Sequence, residues 1–179
     1  MMRKEGYTLI MLMIAVSLLS IGLLVAVPVW QTELQREKEE ELIFRGKQYA
    51  EAIRIFQMKK PGTFPRTLDE LLKEKCIRKL YKDPMTSRGE WNLILPYTLP
   101  QTPRASTKRT ESAQKVLIVP YNLLKSVGTS QIIGVVSSSK KKSIKIYLEQ
   151  ESYDKWLFFY GQDAKKMPEI VYFGESEKD

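Results

Sequence analysis

The stretch Arg3-Lys4-Glu5-Gly6-Tyr7-Thr8-Leu9-Ile10, with the apolar run it opens, decides how this chain folds. From Gly6 to Thr32 no residue is charged, and most positions are Leu, Ile, Val, Met or Ala. A bilayer core about 30 Å thick takes roughly 20 helical residues, so this run is long enough to span. It exceeds the roughly 7–15-residue apolar core of a cleaved secretory signal. No A-x-A-like site precedes the charged run that starts at Glu33. Arg3 and Lys4 lie on the N-terminal side, which by the positive-inside bias keeps that end cytoplasmic and exports the rest. A core helix of a soluble protein can be equally apolar, but a 179-residue chain has no interior large enough to hide it.

Gly6 stands at the edge of the apolar run. A glycine there offers an extended, sterically open peptide bond at the membrane surface, which suits a protease working at that surface. The plainer reading is a helix-start glycine in an uncut signal anchor. It leaves the order glycine, aromatic, Thr-Leu-Ile unexplained.

Beyond the run, residues 31–60 read as the same helix continuing into water. Pro28 removes one backbone hydrogen bond near the end of the apolar part, so a kink or local melting is expected there. The acidic and basic residues from Glu33 to Glu41 read as a solvated face. Leu42, Gly46, Tyr49, Ile53 and Phe56 then follow helical spacing and form a stripe that would face a sheet.

Pro61-Gly62-Thr63-Phe64-Pro65 ends the helix. Thr67 and Glu70 form a capping box that opens a short helix, Leu68 to about Glu74, expected to bury Leu71 and Leu72. A turn-rich loop from Tyr81 to Glu90 leads to a strand at Trp91 to Leu95. Residues 97–115 have no hydrophobic period and read as an exposed flexible loop. Val116 to Val119 reads as a short strand or a patch over the sheet. Strands are expected at Ile132 to Val136, at the alternating Ile144-Lys145-Ile146-Tyr147-Leu148, and at Trp156 to Tyr160. After Gly161 the charged tail is expected to fray. The result is an α+β chain, with an antiparallel sheet of three or four strands on the amphipathic half of a long helix.

Taken together, the leader ending Lys4-Glu5-Gly6, the Tyr7-Thr8-Leu9-Ile10 start, the uninterrupted apolar helix and Pro28 at the twenty-second place from Tyr7 resemble the type IV prepilin and type II secretion pseudopilin family. The further series of long helix, Phe64-Pro65, Leu68, Leu71, Asp83-Pro84 and strand resembles its major, G-type pseudopilins over roughly Gly6 to Leu95. The resemblance implies a pilin-like fold: leader 1–6, transmembrane helix 7–30, amphipathic continuation 31–60 and a globular α+β domain 61–179. It implies cleavage between Gly6 and Tyr7 by a prepilin peptidase, with methylation of the new Tyr7 amine. The domain would then lie in the periplasm, with the helix in a bacterial inner membrane.

The implied partners are the peptidase, other pseudopilins in a homo- or hetero-filament, an inner-membrane assembly platform with its ATPase, and membrane lipid. Two positions depart from the family pattern. Tyr7 replaces the usual phenylalanine, and Met11 replaces the glutamate usual at the fifth mature position. In that family the glutamate pairs, inside the membrane, with the free amine of a neighbouring subunit, where an unpaired charge is costly. With Met11 this chain offers the amine without the carboxylate. That fits a tip or initiating minor subunit, or a lineage whose major subunit dispenses with the pair. Two other readings stand beside the pseudopilin: a minor pilin of a type IV pilus or DNA-uptake fibre, and a membrane-anchored binding domain that never polymerises.

Composition narrows the chemistry. Twenty-nine Lys and Arg against 21 Asp and Glu give a net charge of +8, of which the leader residues Arg3, Lys4 and Glu5 supply only +1. Such a surface attracts anionic lipid, nucleic acid or acidic protein. Arg104, Lys108, Arg109 and the run Lys140, Lys141, Lys142 are the candidate nucleic-acid contacts. Three lysines in a turn are more commonly a solvated hairpin end, and nucleic acid is not taken as a partner. There is no histidine and one cysteine, so the commonest general base and any internal disulfide are absent. No phosphate-cradling loop, nucleophile elbow or CxxC occurs. Cys76 lies between Lys75 and Arg78, cations that would lower its pKa, but it reads first as a small residue at a helix end. Gly161 to Lys166 carries one carboxylate beside two lysines, a poor set for calcium. No metal, cofactor or enzymatic activity is expected.

Overall fold

A computed structural model describes residues 4–97, 115–127, 131–161 and 167–174. The chain divides into two units, Met1–Lys38 and Glu39–Asp179. Helix α1, Lys4–Lys59, supplies all the described secondary structure of the first unit and opens the second.

In the first unit every described side chain from Tyr7 to Leu34 is exposed, including Met13, Leu24 and Trp30 at about seven-tenths. The helix runs through Pro28 as one element, so the expected local melting is not seen. Ser17 and Ser20 turn their hydroxyls onto the carbonyls of Met13 and Val16 at 2.8 Å, and Thr32 donates to Pro28 O at 3.0 Å. These side chains thereby satisfy themselves without water, as Ser and Thr do where a helix lacks solvent.

In the second unit the stripe read from the sequence is the buried face of α1. Leu42, Tyr49, Ile53 and Phe56 are at most 1% exposed, and Gly46 is buried. The helix stops at Lys59, and Gly62 takes φ +77° in the turn beyond, a conformation that favours glycine. Helix α2, Leu68–Lys73, is capped by Thr67 Oγ1, which accepts from the Glu70 N–H at 3.3 Å. Glu70 reaches back to the N–H of Arg66 at 2.8 Å, one residue before the cap. Leu68 and Leu71 are buried. Leu72 is 41% exposed, because one turn of helix can aim only one edge of its leucines inward.

Among the described residues seven strands follow: β1 Trp91–Pro96, β2 Lys115–Pro120, β3 Gly134–Ser137, β4 Lys142–Tyr147, β5 Gln150–Ser152, β6 Phe158–Phe159 and β7 Glu169–Tyr172. Five form one sheet in the order β6-β3-β1-β2-β7, and β4 with β5 forms a separate hairpin. The sheet is mixed rather than antiparallel. β7 runs parallel to β2, pairing Lys115 with Glu169 and Ile118 with Tyr172. Part of the expected fraying tail is therefore an edge strand, while residues 175–179 and the 98–114 part of the expected loop lie outside the described residues. The expected strand at 156–160 pairs only at Phe158 and Phe159.

Both faces of the sheet are buried. Trp91, Leu93, Leu95, Val119 and Val135 join the α1 stripe in one core. Ile94, Val116, Ile118, Val136 and Leu157 form a second cluster. The near-continuous apolar run of β2 follows from that double burial, which replaces the in–out alternation of a half-wet strand.

Candidate functional site

The residues read as functional fall in two places. Gly6, Tyr7, Met11 and Pro28 all lie on α1 in the first unit. Tyr7 is 66% and Met11 54% exposed, so both side chains stand on an uncovered helix surface. Gly6 is in the first turn of α1, so the bond after it is helical here and not extended. Lys4 and Glu5 favour helix and the apolar run propagates it, which outweighs a single glycine. Gly6 is still the weakest place in that turn, about 1 kcal/mol poorer than alanine. By length and composition α1 is the one described helix that could cross a membrane, and none of its most apolar window is buried within the fold.

The second place is the hairpin β4–β5 in the second unit, whose first strand hydrogen-bonds to Glu39. Lys140 and Lys141 are exposed and precede β4, and Lys142 is its first residue. Arg104, Lys108 and Arg109, the other candidate basic residues, lie outside the described residues.

The alternation in β4 is inverted relative to what its apolar residues suggest. Ile144 and Ile146 face out, 40% and 69% exposed, while Lys145 and Tyr147 turn in. Glu39 sets that choice. Its side chain is 0% exposed. It accepts the N–H of Ile144 at 2.7 Å, the N–H of Lys145 at 2.9 Å and the hydroxyl of Tyr153 at 2.6 Å. A buried carboxylate is tolerated when its lone pairs are filled this way. Beside it Lys145 Nζ meets Glu40 Oε1 at 2.6 Å, and the ammonium holds the Glu40 carboxyl below its ordinary value. Tyr147 packs on Trp156 and Phe158, each with ring centroids 5.5 Å away.

A second buried carboxylate ties the Asp83-Pro84 loop to the sheet. Asp83 Oδ1 accepts the Met85 N–H at 2.8 Å, and Oδ2 accepts the Ser137 hydroxyl at 2.7 Å and the Ser138 N–H at 3.3 Å. Burial nonetheless pushes its pKa up, against these hydrogen bonds and the nearby Arg45. The carbonyl of Tyr81 accepts from the Tyr49 hydroxyl and from Trp91 Nε1, both at 2.9 Å. Burial pushes Tyr49 up to about 12. Neither Glu39 nor Asp83 was visible in the sequence as more than a charged or loop residue.

Neither a family model, nor a curated protein, nor a solved structure matches this chain. The functional reading therefore rests on its own residues.

Cys76 is buried, and desolvation raises its thiol pKa, outweighing the lowering by Lys59 and Lys60. A lowered thiol pKa, the less favoured of the two readings of Cys76, is not what its surroundings give. Among the described residues no group of three or more His, Cys, Asp or Glu is placed to hold a metal ion.

Proposed function

We propose that this chain is a pseudopilin: a structural subunit, not an enzyme, made as a precursor and cut between Gly6 and Tyr7. The freed Tyr7 amine is methylated, and subunits are extracted from the membrane into a periplasmic filament that supports type II protein secretion. The observation that carries this is one helix with two different halves. From Tyr7 to Trp30 it is uncharged and uncovered, and from Leu42 to Phe56 it buries a stripe against a sheet. An apolar helix without a partner in its own fold must take one from lipid or from neighbouring copies, and a filament core supplies the second as it removes the first. No cofactor enters this role. The partners are the peptidase, the assembly platform with its ATPase, and other pilin-like subunits.

The fibre is a secretion pseudopilus in this reading. Loss of secreted enzymes from the medium on deletion supports it, and loss of twitching or DNA uptake replaces it with a type IV pilus subunit. Mass spectrometry of the N-terminal peptide from native membranes tests the processing. A methylated Tyr7 start is expected, and an intact Met1 or Met2 start would leave only a membrane-anchored domain.

Without the carboxylate usual at the fifth mature position, Met11 does not recruit a neighbour's amine, which fits either a tip or initiating minor subunit or a lineage whose major subunit dispenses with the pair.

A further inference from the structure

The outer face of the β4–β5 hairpin holds two aliphatic side chains in water. Ile144 and Ile146 point outward with Lys142, and Glu39 enforces this from 105 residues away in sequence by taking the N–H groups of Ile144 and Lys145. The turn that closes the hairpin is also unusual. Leu148 and Glu149 have φ of +49° and +62°, consecutive left-handed conformations that favour glycine or asparagine. Backbone of this kind persists only where the surroundings over-determine it, and it concentrates at functional sites.

What covers this face can be argued from size, charge and tether. Two isoleucines fall far short of the about 800 Å² per partner that a stable protein interface needs. A bilayer surface needs no such area when the chain is already anchored, because the tether keeps the local concentration high. Lys140, Lys141 and Lys142 are exposed and precede Ile144 closely in sequence, and from Lys140 to Ser152 there are four lysines and two glutamates. Lys142 meets Glu151 at 3.4 Å with both side chains largely in solvent, and Lys140 stands over the Tyr172 ring at 5.8 Å. Exposed aliphatic groups flanked by cations suit the headgroup boundary of an anionic bilayer. Glu39, which holds the hairpin, follows the last residue of the uncharged run by only seven positions.

The geometry points to an anionic phospholipid surface as the partner of this face: Ile144 and Ile146 seat among the headgroups, and Lys140 to Lys142 meet the phosphates. This rests on the reading of the Tyr7–Trp30 segment as membrane-spanning. Docking holds the unassembled subunit against the bilayer that stores it.

The test uses the full chain with Cys76→Ala and a nitroxide on Ile146→Cys, in vesicles of phosphatidylcholine alone or with phosphatidylglycerol added. With phosphatidylglycerol the nitroxide is expected to become accessible to oxygen and shielded from a water-soluble nickel chelate. Changing Lys140, Lys141 and Lys142 to Gln is expected to lower the docked-to-undocked ratio on the order of 100-fold at low salt. Equal nickel access in both vesicle types would overturn the proposal. So would spin–spin broadening that vanishes when unlabelled chain is added, which would assign the face to a second copy. A nitroxide on Val16→Cys separates the two readings. If it sits in lipid while Ile146 stays in water, only the docking falls; if it is in water, the spanning reading and the docking fall together.

Discussion

Tyr153 donates its hydroxyl to Glu39 Oε1 at 2.6 Å, joining a helix and a 3-10 turn that lie 114 positions apart in sequence. The same carboxylate anchors β4 through two N–H groups, so one buried side chain sets the face that strand presents. Glu39→Ala is expected to destabilise the domain by about 2–4 kcal/mol, and Tyr153→Phe by about 1.5–3 kcal/mol. Urea unfolding of the full chain in detergent reads both. The amides of Ile144 and Lys145 should then exchange much faster in the alanine variant than in the phenylalanine one.

Gly46 gives a case where two effects oppose. In a helix interior alanine is favoured over glycine by about 1 kcal/mol. Here an added Cβ would lie 2.3 Å from the Phe158 ring. That ring cannot step aside cheaply, since it packs edge-on to Trp91 and against Tyr147. Overpacking wins, and Gly46→Ala is expected to lower stability by about 1–3 kcal/mol net. Phe158→Leu in the same chain should recover part of that loss in the same unfolding assay.

Asp83 should make stability fall as pH rises above the ordinary aspartate range. Its folded pKa is raised from 3.8 by burial, so between 3.8 and the raised value the folded chain keeps a proton that the unfolded chain has released. Stability from this group is therefore complete below 3.8 and declines as pH climbs through that window. Glu40, Glu51 and Glu74 have lowered values and act in the opposite sense, so the useful quantity is a difference. The stability gap between the native chain and Asp83→Asn should be largest below pH 3.8 and shrink toward neutral pH. A flat gap would mean that the fold ionises Asp83 at no cost, and a gap that widens with pH would mean that its hydrogen bonds outweigh burial.

If the chain is a pilin-like subunit as proposed, Met11→Glu supplies the carboxylate usual at the fifth mature position and distinguishes a tip subunit from a major subunit that dispenses with the pair. The variant is expected to be incorporated along the fibre, with more copies per filament on immunogold labelling. Labelling that stays at the ends would show that position 11 does not set placement.

The parts of the fold that local pattern controls were legible. The α1 stripe, the Thr67 cap and the cores of β1, β2 and β3 could be placed from spacing and turn residues. What was missed depends on distant partners. Glu169 to Tyr172 is four residues behind Pro168 and becomes a strand only because the edge of β2 receives it. The facing of β4 was illegible because Ile-Lys-Ile-Tyr alternates equally well either way, and the choice comes from Glu39. Gly6 and Met11 were conspicuous by position in the sequence, whereas Glu39 was one acid in a run of charges with nothing local to mark it.

The parallel pairing of β7 on β2 also sets an order of completion. Lys115 and Glu169 are 54 positions apart, so at elongation rates of about 5–20 residues per second β2 leaves the ribosome roughly 3–11 s before its neighbour exists. During that interval one side of β2 offers unpaired N–H and C=O groups to any strand it meets. If the first helix is held in a bilayer, as proposed, the newborn chain meets few others. Anchorage would then act as a chaperone in time, keeping the unfinished sheet apart until its closing strand arrives.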